Sequence, residues 1–214
     1  MRRTWLGGII RMMQRTTRDP QTAPTASPKL LWSGGVGAVL AGVLFATWGY
    51  VDKDNAPWYF ETMAHVLAFI VPLLFVAGLV ALYARCAGRA GRIGVTGILV
   101  GSIGSALGAV RALVNDAVPS LYPHNALGDR IHFLLGVWTP ALFTGLLLVG
   151  FALTARRTLR SLGTLLLIIG VFGWAYHVTD SDAILEERSI HVGFGLLFCL
   201  GWIALGLALW LAEP

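Results

Sequence analysis

Charge is what this sequence lacks. Only 13% of its 214 residues are Asp, Glu, Lys or Arg, about half the ~25% of a soluble domain. Hydrophobic residues make up 56%, and mean hydropathy is +0.71. That shortage excludes an ordinary water-soluble domain and points to long segments facing lipid. Cysteine is scarce too. Cys86 and Cys199 are the two in the chain, so it has no disulfide framework and no Cys-x-x-Cys metal motif. No acid or base falls in the middle of any apolar run, where ion-coupled carriers usually place one. The Gly101-Ser-Ile-Gly104 stretch has no strand before it, so it is not a dinucleotide fingerprint.

What is present is apolar length. A helix needs about 20 apolar residues to cross the hydrocarbon core. Six stretches qualify: Leu30–Tyr50, Met63–Tyr83, Ile93–Ala112, Ile131–Ala155, Leu162–His177 with its flanks, and Ser189–Leu211. The fold class expected is therefore all-α, a polytopic membrane protein with six transmembrane helices over residues 30–214. Gly97, Gly101, Gly104 and Gly108 overlap as small-xxx-small patterns that let helix backbones approach closely. Pro72 and Pro140 fall within the second and fourth spans and are expected to kink them.

The charges that do occur are sorted. Arg2, Arg3, Arg11, Arg15, Arg18, Lys29, Arg85, Arg89, Arg92, Arg156, Arg157 and Arg160 fall at one end of the spans, twelve of the 16 basic residues. Asp52, Asp54, Glu61, Asp116, Asp129, Asp180, Asp182, Glu186 and Glu187 fall at the other, nine of the 11 acids. By the positive-inside rule the basic end is cytoplasmic, and six spans leave both termini there. A plasma-membrane location follows, with the lipid bilayer as partner. The net charge of +5 belongs to this sorting and does not mark a nucleic-acid partner. Residues 1–29 read as a basic tail. Trp5, Ile9, Met12 and Met13 share a helical face opposite Arg11 and Arg15, the pattern of a helix lying on an anionic leaflet. A cleavable signal peptide is not expected, because the first span is too long and too far from the start.

The acidic end also carries the histidines. Glu61 and His65, Asp129 and His132, and Glu187 and His191 each lie three or four residues apart, which puts both side chains on one helix face. The three pairs open the second, fourth and sixth spans. Trp48-Gly-Tyr50 and Trp174-Ala-Tyr176, each followed by paired aspartates, repeat the junction after spans one and five. Three tandem helical hairpins in the same orientation are the expected architecture, related about an axis along the membrane normal.

Imidazole beside carboxylate suits Zn, Fe, Mn or Cu. His65, His132, His191, Glu61, Asp129 and Glu187 are thus candidate metal ligands, with His177 at the end of the fifth span as a further imidazole. Haem is the lesser expectation: two facing imidazoles are needed, and a second tier of histidines toward the basic end is absent. A plainer origin stays open, since an acid at a helix start caps free N–H groups and complements the dipole. Trp138 and Trp202 lie deep enough in their spans to line a cavity. Two other roles also remain at this stage. Glycine-rich first, third and sixth helices would suit self-association or an accessory subunit of a larger complex, and the missing midplane charge leaves room for a neutral-solute permease.

Overall fold

The computed structural model describes residues 27–50, 58–86, 89–117, 136–157, 159–180 and 188–211. Among them are six helices: α1 (Pro28–Tyr50), α2 (Trp58–Cys86), α3 (Gly91–Ala117), α4 (Trp138–Ala155), α5 (Arg160–Asp180) and α6 (Arg188–Trp210). Each contains a stretch long and apolar enough to cross a membrane. The chain is an all-α, multi-pass membrane protein. The amphipathic segment expected over Trp5–Arg15 lies outside the described residues.

Every helix packs on its neighbours in sequence, and α6 returns to pack on α1. The six helices form a closed ring, with the hairpins α1–α2, α3–α4 and α5–α6 as successive thirds. Lipid solvates an apolar side chain as well as another helix does, so helices in it are held by close packing, and small residues permit that. On α3 the glycine stripe meets α4: a Cβ on Gly104 would lie 2.8 Å from both Leu142 N and Trp138 O. On α1 two small faces serve two partners. A Cβ on Gly37 would lie 3.3 Å from Ala77 Cβ of α2, whereas one on Gly35 would lie 2.8 Å from Gly206 O of α6. That two-sidedness lets α1 seal the ring. Among the described glycines of α1, α3 and α6, all but Gly193 meet other parts of this chain.

The outside is lined mainly by large aliphatic side chains, and the largest buried side chains are aromatic. Leu99, Ile103 and Val110 of α3 and Leu196 and Leu200 of α6 are exposed, whereas Phe75, Phe143, Phe198 and Trp202 are fully buried. Hydroxyls on the outer surface bond within their own helix, as Thr47 Oγ1 to Leu44 O (2.8 Å) and Thr164 Oγ1 to Arg160 O (3.0 Å). This satisfies them without water.

The two prolines differ. Pro72 lies inside α2 and packs against Gly108 of α3. The start of the span expected to contain Pro140, residues 131–135, lies outside the described residues, and Pro140 is the third residue of α4. Its missing N–H falls in the first turn, where no intrahelical acceptor is waiting, so the helix loses nothing there. The connections at the basic end are tight. Arg89 N–H and Ala90 N–H donate to Cys86 O (2.8 and 3.1 Å), and Gly91 turns the chain at φ +61. Between α4 and α5, Arg157 and Leu159 take φ of 56 and 55, a left-handed conformation costing about 1 kcal/mol or more each for residues with a Cβ.

Candidate functional site

The histidine-bearing end of the ring is built from the ends of α1, α3 and α5 and the starts of α2, α4 and α6. Glu61 and His65 lie within the first two turns of α2, which begins at Trp58. The His65 side chain is exposed, while Ala64 and Leu67 beside it turn inward. Below it, Pro72 meets Gly108 and Leu79 meets Gly101. Since α2 and α3 run antiparallel in that register, His65 stands level with residue 115 of α3.

His177 is the better-anchored imidazole. It lies in the last turn of α5, half-buried, with Nδ1 3.3 Å from Thr139 Oγ1 on α4. The Trp174 ring stands 5.8 Å away and nearly perpendicular, at 71°. The bond permits two arrangements. With the proton on Nδ1 the ring donates to Thr139 and Nε2 keeps a lone pair, the form in which imidazole ligates a metal. With the proton on Nε2 the threonine hydroxyl donates to Nδ1. Either way the α4 and α5 ends are tied together. Replacing Thr139 by valine should lower stability by ~0.6 kcal/mol, the typical worth of such a bond in a membrane bundle. A double-mutant cycle with His177→Ala in detergent unfolding should show the two losses to be non-additive; simple additivity would dissolve the pair.

The two described histidines are on opposite members of the ring. Thr139 adjoins Trp138, whose ring packs on Gly108, which in turn meets Pro72. His65 is seven residues beyond Pro72, so it stands roughly 10 Å nearer the end of the bundle than His177. Among the described residues there is no group of three His, Cys, Asp or Glu that could hold a metal ion. Asp129, His132 and Glu187 lie outside those residues, as do the side chains of Glu61 and His191, although His191 itself is in the first turn of α6.

Beneath this end the ring axis is filled by aromatic side chains. Tyr176 meets Phe45 edge-on at 5.7 Å. Phe198 contacts Phe45 at 5.5 Å, Phe143 at 5.2 Å and Phe75 at 5.9 Å. Phe75 in turn stacks on Trp202 at 4.5 Å. The tryptophans considered as cavity liners are packed: Trp138 is buried against Gly108, and Trp202 is wholly buried against Phe75 and Gly78. Two buried polar atoms there, Trp202 Nε1 and Ser105 Oγ, have no hydrogen-bond partner.

Thr139 holds His177, a role that the spacing of acids and histidines did not convey, and Arg111 is a further polar side chain near this end. Arg111 sits half-buried near the histidine-bearing end of α3. It is the one basic residue inside the third apolar run, and that singularity is its sequence signal. Thr139 has no such signal, because its partner is 38 residues away. Compared with protein-family models, curated proteins and solved structures, the chain matches none.

Proposed function

We propose that this is a plasma-membrane protein with both termini cytoplasmic, whose outward end carries a His/carboxylate pocket for a small ligand or a transition-metal ion. The observation that carries the reading is the His177–Thr139 bond. It ties one imidazole into the α4–α5 seam at the histidine-bearing end, next to Tyr176, whose ring meets an axis packed with Phe45, Phe143, Phe198 and Trp202. A ligand reaching this end meets a floor, so the chemistry supported is binding or sensing at one face. Passage of a neutral solute would require moving the aromatic plug. Charge sorting supports the orientation, with Arg85, Arg89, Arg92, Arg156, Arg157 and Arg160 on the cytoplasmic side.

In this reading His177 is held by Thr139 in the way a metal-bound imidazole is held by an outer partner. His132 and His191 join it, with Asp129 and Glu187 supplying oxygen ligands or orienting the rings. His65 and Glu61, roughly 10 Å nearer the end on the opposite side of the ring, complete the set only by a movement of the start of α2. Zn, Fe, Mn and Cu all accept such a donor set. Elemental analysis and an absorption spectrum of the purified protein test it together. A transition metal at about one per chain, lost in the His65→Ala/His132→Ala/His191→Ala triple variant, is the expected result. If the wild type holds no stoichiometric metal, and the triple variant keeps the stability and ligand binding of the wild type, the pocket is not a site.

A further inference from the structure

At the opposite end, we infer that the two arginine-bearing turns form a single seat for the phosphate headgroup of an anionic phospholipid. The turns are brought together by a specific contact. A Cβ on Gly91 would run into Nη2, Cζ and Nη1 of Arg156, so the guanidinium of the α4–α5 turn lies flat on the backbone that opens α3. Gly91 is the described glycine with a left-handed φ, and a side chain there would push the turns apart. Around this seam stand Arg85, Arg89, Arg92, Arg157 and Arg160, of which Arg85 is half-buried and the others exposed.

The chain offers these arginines almost no counter-ions. No Asp or Glu occurs between residues 62 and 115 or between 130 and 179, so both turns are free of acids and the helices that carry them have only Glu61, Asp116 and Asp180, at their far ends. Beyond those segments the same end has Asp19 and Glu213, two acids against twelve basic residues. Guanidinium groups at a membrane surface must therefore take their anions from elsewhere, and lipid phosphates are the anions fixed at that depth. The depth is set by neighbours: Tyr83 and Ile93, on the last turn of α2 and the first turn of α3, are both exposed apolar or amphipathic side chains of the kind that sit where acyl chains meet headgroups. Two helix starts, α3 and α5, open on the same end with no acid in their first turns, adding unopposed positive dipole ends. Arginine forks grip phosphate by paired hydrogen bonds. The seat does not depend on which side of the membrane this end faces.

The test compares lipids retained by the full-length purified protein. Protein in mixed phosphatidylglycerol–phosphatidylcholine nanodiscs or micelles should keep phosphatidylglycerol selectively, read as bound-lipid mass adducts and as a rise in unfolding temperature on adding that lipid after delipidation. Arg89→Gln/Arg92→Gln/Arg160→Gln leaves the Arg156–Gly91 contact in place. At about 1 kcal/mol for each arginine near the surface, it should lower phosphatidylglycerol affinity about a hundredfold. An Arg2→Gln/Arg3→Gln/Arg11→Gln variant should stay within a few-fold of wild type. Equal retention of both lipids overturns the proposal, as does a loop variant that binds like wild type. A tail variant that loses as much as the loop variant also overturns it, since attraction would then be diffuse. Displacement of the lipid by millimolar inorganic phosphate would show the seat to be one for free anions and overturn the lipid assignment.

Discussion

Gly145→Ala is expected to be among the most destabilising single-methyl changes in the bundle. A Cβ at this position would lie 2.5 Å from Gly97 O, 2.6 Å from Gly101 N and 2.7 Å from Gly101 Cα. All three obstacles are backbone atoms of α3, so no rotamer change relieves the clash and the helices themselves must separate. Separation forfeits the close packing that joins helices in lipid, and overpacking of this kind costs about 2–3 kcal/mol. A graded series isolates the cause. At Gly101 an added Cβ would be 3.3 Å from the flexible end of Leu79, so alanine there should cost well under half as much. At Gly193 nothing lies within 4 Å, and alanine should be neutral or slightly stabilising, because glycine is the poorer helix former. Unfolding in a detergent–SDS titration, followed by helix content, gives the order. If Gly145→Ala unfolds alongside Gly193→Ala, the α3–α4 contact is not as close as described.

That series also marks how far the sequence could be read. Apolar length is a one-dimensional signal, and it located all six helices. Some ends ran further than hydropathy implied: α2 extends from Trp58 to Cys86, beyond the Met63–Tyr83 run, because polar and aromatic residues continue the helix through the interface. The described α4, in contrast, begins at Trp138 and not at Ile131. The glycines of α3 were legible as a close-packing stripe, but their partner was not. Spacing within one helix says which face is small and nothing about what fills it. The pairing of Gly35 with Gly206 that closes the ring joins positions near the two ends of the chain, and no local pattern encodes it. The site divides the same way. His177 was visible as a histidine ending a span, whereas Thr139 became relevant only when α4 and α5 were laid side by side. Trp138 and Trp202 showed the opposite failure. Depth in a span suggested a cavity wall, and packing against Gly108 and Phe75 made them part of the filling.

The filling itself gives the second large effect, in Phe198→Ala. Phe198 is wholly buried and stands at the hub of the aromatic plug, in ring contact with Phe45, Phe75, Phe143 and Trp202 from α1, α2, α4 and α6. In a water-soluble core, removing such a ring costs about 3–5 kcal/mol, part of it lost transfer from water. Here that part nearly vanishes, because the separated helix would still hold its phenylalanine in lipid. What remains is the cavity and the lost ring contacts, about 2 kcal/mol. The vacated volume is lined by the remaining rings and aliphatic side chains, so it should stay dry. Two readouts follow. Xenon or benzene should restore part of the lost unfolding temperature by filling the cavity, and vesicles carrying the variant should be as tight to small polar solutes as those carrying wild type. A variant that loses stability but leaks would show that Phe198 is a gate across a conducting axis, and the pocket proposed at the histidine-bearing end would then be the mouth of a pathway. A tight variant leaves Phe198 as packing that closes the axis, which is what the proposal of binding at one face requires.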